Sequence, residues 1–197
     1  MNWIESLLLD VGFSWSWSKL LPFFMVSILG SIGWMLFQKR IPTIRLKVVF
    51  FIVSIAIPFF SYFIYSPLYR NDFNGTYVIR PIPKELIRME KNELVVLALP
   101  HCPFCFESIA IANKLIKRNP GIQITYLVLS HEPTGANKFR SLADKRIRFK
   151  LAIHFSELET VCSGMFPAFL IRKDAAISVW DFNQIGPSSL DEIEQLI

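Results

Sequence analysis

Two uninterrupted apolar stretches dominate the first third of the chain. Leu20–Phe37 and Val48–Tyr65 each run for eighteen residues without a charged side chain. As helices rising about 1.5 Å per residue, each reaches roughly 27 Å, close to the thickness of a hydrocarbon core. Apolar residues occupy the whole helical circumference rather than one stripe, which predicts transmembrane helices at 20–37 and 48–65 rather than core helices of a soluble fold. Before them, residues 1–19 read either as an interfacial segment, with Trp3, Trp15 and Trp17 suited to headgroup depth, or as a disordered tail. Its acids, Glu5 and Asp10, are the wrong flank for a signal peptide, so no cleaved leader is expected.

Beyond residue 75 the pattern shortens and alternates. Ser66 to Gly75 is rich in Pro, Asn, Asp and Gly and reads as a linker. Thr76 to Arg80 predicts an edge strand stopped by Pro81 and Pro83, and Lys84 to Lys91 a short helix. Leu94 to Leu99 is an uncharged β-prone run. Glu107 to Arg118 then repeats apolar residues at helical spacing through Ile109, Ile111, Ala112 and Ile116. Ile122 to Leu129 predicts a strand after the Asn119-Pro120-Gly121 turn, giving a β-α-β unit of a sheet covered on both faces. His131 to Gly135 reads as a turn and Ala136 to about Phe155 as a helix. Strands follow at Ala168–Ile171 and Ile177–Trp180, joined through Lys173-Asp174. Ser189 with Glu192 predicts a capping box opening a last helix over Leu190–Ile197.

Composition and charge sharpen this division. The chain is 52% apolar, with 18 phenylalanines, more than an ordinary soluble domain uses. Residues 1–70 hold six Lys or Arg against two acids, whereas residues 71–197 hold fifteen against fourteen, so most of the formal +5 lies in the first third. The basic pI therefore does not mark a nucleic-acid-binding domain, and no reader motif is present. Four cations and no acid fall in residues 38–47, between the two spans. Positive-inside bias makes this a cytoplasmic loop and sends both the N-terminus and everything after Tyr65 to the opposite side. Tyr62, Tyr65 and Tyr69 then share the outer interface with Trp15 and Trp17. Ser27, Gly30, Ser31 and Gly33 give the first span a face that another helix can approach closely, either the second span or a separate membrane protein. Pro58 predicts a bend in the second span and a freed carbonyl with a partner nearby.

The candidate chemistry is Cys102-Pro103-Phe104-Cys105, placed where the Leu94–Leu99 run turns into the helical pattern. The first amides of a helix lack internal partners and carry the positive end of its dipole, which favours a thiolate there. Cys102 is therefore the expected exposed nucleophile. Cys105, one turn deeper, is the expected resolving thiol. Pro103 suits the first helical turn, and His101 is the one adjacent group able to carry positive charge. A permanent structural disulfide would remove little unfolded-state entropy from so short a loop. A closed zinc site would need four ligands, and His101, His131, His154 and Cys162 fall at no recognised metal spacing. A soft copper site on the two thiols and one His remains an alternative. Three cysteines do not make a disulfide scaffold.

Residues 76–197 resemble the thioredoxin superfamily. The Cys-x-x-Cys pair at a strand-to-helix junction is one mark, and Met165-Phe166-Pro167-Ala168-Phe169-Leu170-Ile171, similar to the family's cis-proline segment, is a second. The resemblance implies a mixed sheet flanked by helices in a βαβαβαββα order, preceded here by the transmembrane hairpin. It implies thiol-disulfide exchange through Cys102 and Cys105 without a cofactor or metal, with Phe166 and Pro167 offering a short backbone edge to a peptide. His101 and Phe104 flank that surface. The chain departs from the family at Val96, where thioredoxins carry a buried carboxylate. The stretch from Leu129 to Pro167 exceeds what a minimal thioredoxin needs, so a helical insertion is expected there. Its run of Lys138, Arg140, Lys145, Arg146, Arg148 and Lys150 against Asp144 reads as a solvated face, or one resting on anionic lipid or an acidic partner. Cys162, just before the proline segment, is either a buried lone thiol or a relay to the pair.

These readings point to a membrane-tethered oxidoreductase acting on extracytoplasmic protein disulfides, and analogy with bacterial tethered members of the family implies the inner (cytoplasmic) membrane. The spans hold no cysteine, so a separate redox partner must exchange electrons with the pair. An accessory subunit of a membrane complex, using the same domain as a binding surface, is the alternative from a different class.

Overall fold

The computed structural model describes all 197 residues except 1, 41–42, 70–71, 74, 84–85, 87–92, 153–155, 174–175 and 197. The chain divides into two compact units, Met1–Arg70 and Asn71–Ile197.

The first unit begins with a capped helix, α1 (Trp3–Val11). Asn2 accepts the Glu5 amide proton while the Glu5 carboxylate accepts from the Asn2 amide, a reciprocal capping box. The helix buries Leu8 and Leu9 and leaves Trp3 exposed; within the same segment Trp15 is buried and Trp17 exposed. Two long helices follow, α2 (Trp15–Phe37) and α3 (Ile44–Tyr65), each long and apolar enough to cross a membrane. Both begin earlier than the uncharged runs. Ser14 caps α2 through the Trp17 amide at 3.3 Å, and α3 opens inside the basic segment.

The two long helices pack as an antiparallel hairpin, with Phe37 against Phe50 at one end and Phe23 against Phe59 and Tyr62 at the other. Gly30 lets the two helices approach closely, since a Cβ there would collide with the carbonyl oxygen of Ser54. That carbonyl lies four residues before Pro58, whose ring nitrogen has no proton to give it. The Gly30 backbone fills the gap, so this small residue is used inside the hairpin. At Gly33 a Cβ would meet nothing within 4 Å.

The second unit is built on a six-stranded mixed sheet. Its strands are β1 (Val78–Pro81), β2 (Glu93–Ala98), β3 (Gln123–Leu129), β4 (Arg148–Ala152), β5 (Ala168–Lys173) and β6 (Ala176–Trp180), in the spatial order β1-β6-β5-β2-β3-β4. All six residues of β2 are buried. It runs parallel to β3 and antiparallel to β5, and β4 extends the parallel side. The remaining helices are α4 (Pro103–Arg118), α5 (Asn137–Leu142), α6 (Ser156–Val161) and α7 (Pro187–Leu196). Arg118 of α4 grips Glu194 of α7 through two hydrogen bonds of 2.8 and 3.0 Å. On the opposite face Leu158 and Cys162 join Val95, Leu97, Leu127 and Leu170 in one apolar cluster. Residues alternate between faces along each strand, so the sheet is covered on both sides. This is the thioredoxin-like arrangement that the sequence resemblance implies.

Three expectations are corrected. The helix predicted over Ala136 to Phe155 is instead α5, a turn and strand β4. Arg146 closes that turn, its amide donating to the Asp144 carboxylate at 2.9 Å. Phe149 then aligns with Tyr126 across the sheet, ring centroids 5.5 Å apart. Strand alternation in Arg-Phe-Lys-Leu-Ala was hidden by a charge run that reads equally well as a helix face. The insertion is thus a strand with short helices. The last helix starts at Pro187, and Ser189 lies inside its first turn, where its hydroxyl accepts from the Gly186 amide at 2.7 Å. Glu192 accepts from the Trp180 indole at 3.4 Å instead of serving a cap. The expected edge strand near 76–80 is β1, paired antiparallel with β6. The helix predicted over Lys84–Lys91 falls largely outside the described residues.

Candidate active site

Strand β2 ends at Ala98, and after three intervening residues the chain enters α4 through Cys102. Cys102 is the N-cap of that helix and Pro103 occupies its first position. Pro103 has no amide proton to satisfy. The Cys102 sulfur takes the capping role more often filled by an oxygen, accepting the Cys105 amide proton at 3.2 Å. The helix therefore aims an orphan donor at the sulfur, as the motif's position predicts.

The second side of the site comes from β5. Leu97 of β2 pairs with Ala168, which brings the preceding Phe166–Pro167 peptide beside the mouth of α4. That peptide bond is cis. The Cys102 thiol donates toward the Phe166 carbonyl oxygen at 3.9 Å. Residues 64 positions apart in sequence thus meet at one sulfur. Cys102 is partly exposed, whereas Cys105 is fully buried; both are free thiols. Burial pushes the Cys105 thiol well above its ordinary range, and the hydrogen bond with Cys102 acts in the same direction. One thiol is accessible and the other is held as a protonated reserve.

Of the remaining candidates, His101 is exposed beside the pair. Phe104 is half exposed and packs against Phe182, centroids 4.6 Å apart. Between them and Pro167 runs a mostly apolar groove of about 130 Å³, lined also by Ile111, Phe169 and Ile185 and by the polar Glu107 and Ser108. Phe166 is partly buried and Pro167 buried. Cys162 is not gathered into the site. It is 1% exposed in the cluster with Val95 and Leu97 and its sulfur faces the Leu158 carbonyl at 3.4 Å, while α4 covers the opposite face. His154 lies outside the described residues. Among the described residues no three His, Cys, Asp or Glu side chains are grouped for a metal ion.

Sequence reasoning missed Phe182 and the buried pair Ser108 and Tyr126. Phe182 follows β6 without any local signal. Ser108 sits three residues after Cys105, on the same helix face, and that spacing was available to be read.

The site is thus a thiol pair of thioredoxin-like geometry. No protein-family model and no curated protein matches the sequence. Among solved structures, the chain is similar to a secreted Mycobacterium tuberculosis disulfide oxidoreductase homologous to E. coli DsbE, at 13% identity over 53% of this chain and 81% of that one, TM-score 0.44. It is similar to MTB DsbF, solved in mixed oxidised and reduced forms, at 12% identity over 54% and 81%, TM-score 0.42. A thioredoxin-like protein from Bacteroides caccae shares 12% identity over 73% of this chain and 62% of its own, TM-score 0.44. At these values the chemistry rests on the geometry of this chain alone.

Proposed function

We propose that this chain is a membrane-anchored thiol-disulfide oxidoreductase acting on extracytoplasmic protein disulfides through Cys102 and Cys105. The observation that carries the reading is the convergence on one partly exposed sulfur of the Cys105 amide, in the first turn of α4, and the Phe166 carbonyl. A sulfur so placed is reachable by a substrate, while its partner lies buried one turn deeper.

In the first step the Cys102 thiolate attacks one sulfur of a substrate disulfide; a new S–S bond forms, the old one breaks, and half of the substrate leaves as thiolate. In the second, Cys105 loses its proton and attacks Cys102, which closes the Cys102–Cys105 disulfide and releases the other half of the substrate as a thiol. Two electrons pass from the pair to the substrate. Run in reverse, the same steps oxidise a dithiol. The Phe166 backbone at Pro167 offers an incoming peptide an extended edge, and the Phe104–Phe182 groove takes an apolar side chain next to the substrate cysteine. His101 borders the entrance. A separate redox protein restores the pair.

The hairpin supports tethering in the inner membrane, with residues 38–47 on the cytoplasmic side and the domain beyond the opposite face. Docking to another membrane protein through α2 is part of the same proposal, through a face that includes Gly33 rather than Gly30. The test is exchange activity of the full chain in detergent toward a peptide disulfide. The Cys102→Ser/Cys105→Ser double variant is expected to lose all of it. Equal activity of the double variant in the cell would instead favour the accessory-subunit reading.

A further inference from the structure

Beneath the thiol pair lies a hydroxyl chain that the exchange steps have not used. Ser108 and Tyr126 are 2% and 0% exposed. Their hydroxyl oxygens are 2.9 Å apart, and the Ser108 hydroxyl donates to the Cys105 carbonyl at 2.7 Å. Each hydroxyl has one proton. Because the Ser108 proton goes to Cys105, the proton shared between the two oxygens must come from Tyr126. The chain therefore has one direction, from Tyr126 to Ser108 to the Cys105 backbone.

Its anchor is rigid. Tyr126 pairs directly with Val96 in the centre of the sheet, and its ring packs within aromatic distance of Phe139 and Phe149. The other end holds the first turn of α4, which carries Cys105. Buried polar chains of this kind are strong only when complete, since losing one member strands its neighbour in a dry interior. Burial also pushes the Tyr126 hydroxyl up, with Cys105 adding to the effect and Ser108 opposing it, so the phenol keeps the proton it donates.

We infer that Tyr126 and Ser108 are positioning residues for the resolving thiol, tying the first turn of α4 to β3 so that Cys105 is aligned for attack on Cys102. This rests on the exchange reaction proposed above. It assigns the pair to the second step, because the tied turn carries the Cys105 thiol, whereas Cys102 stands ahead of the helix as its N-cap and also contacts the Phe166 carbonyl on β5's side.

The experiment follows the two steps separately in the reduced full chain. A labelled peptide disulfide is the probe, and acid quench with mass spectrometry resolves adduct from released peptide. Tyr126→Phe keeps the ring and removes only the hydroxyl. It is expected to form the Cys102 adduct at the wild-type rate and to resolve it about tenfold more slowly. Ser108→Ala is expected to slow resolution to a similar extent, and the double variant to be no slower than either single one, since both cut the same chain. Wild-type resolution in both single variants overturns the inference, as does equal slowing of both steps in Tyr126→Phe. Absence of both adduct and released peptide in the wild-type protein overturns the exchange reading itself, a result distinct from the other two.

Discussion

The two units of this chain solve opposite packing problems. In the domain, apolar side chains turn inward: β2 is buried along its whole length, and the interior hydroxyls of Ser108 and Tyr126 are hydrogen-bonded to one another. In the hairpin, apolar side chains turn outward, with Phe24, Ile28, Ile32 and Leu36 of α2 about half exposed or more. At the end away from the basic loop, Glu5 accepts from Ser66 at 2.9 Å and pairs with Lys19 at 3.3 Å. The difference teaches where each unit is vulnerable. In the lipid proposed for them, two apolar helices would gain little from hydrophobicity toward each other, so close backbone approach and polar ties would hold them.

The largest break expected from this contrast is at Gly30. A leucine there drives carbon into the Ser54 carbonyl and should cost about 3 kcal/mol or more in hairpin association. Crosslinking between cysteines placed on α2 and α3 should fall, while exchange activity of the domain persists. Undiminished crosslinking would show that the helices pack through another face. A smaller break is Glu5→Ala, which removes the acceptor of the Asn2, Ser66 and Lys19 contacts. Because the tie lies at the partly exposed end of the hairpin, about 2 kcal/mol is expected, below the full cost of stranding a buried charge. Proteolysis at the α1–α2 junction should become faster; an unchanged rate would mean the tie is incidental.

The smallest effect is on pH, and it sharpens the contrast because it belongs to the domain. The Cys105 thiol is pushed up by burial, as is that of Cys162. The unfolded chain therefore releases these protons first. Stability of the reduced protein should be full below the ordinary thiol value of about 8.5 and fall as pH rises above it. Forming the Cys102–Cys105 disulfide should remove the Cys105 share of that slope. Denaturant unfolding of both forms between neutral and alkaline pH measures this, and identical slopes would contradict it.

What was legible in the sequence follows the range of the interactions concerned. The two apolar helices, β2, the start of α4 and the proline segment were readable because periodicity and local breakers encode them. Cys102 and Cys105 stood out for the same reason, as their placement depends on a strand meeting a helix. Strand β4 was not readable. Its alternation is decided by Phe149 meeting Tyr126, a contact made only once β3 is in place. Nor was the Tyr126 to Ser108 chain, since a tyrosine in a strand and a serine in a helix are unremarkable until the sheet brings them together. Gly30 was visible as a small residue, but its partner, the carbonyl freed by Pro58, required the hairpin's register.

The central claim is that Cys102 is the attacking sulfur and Cys105 the one that releases the product. Replacing Cys105 by Ser in the full chain, expressed in cells, and recovering disulfide-linked adducts tests it most directly. The account predicts covalent adducts joined through Cys102, absent from Cys102→Ser and scarce in the wild type. Adducts joined through Cys162, or none at all under oxidising conditions, would contradict it.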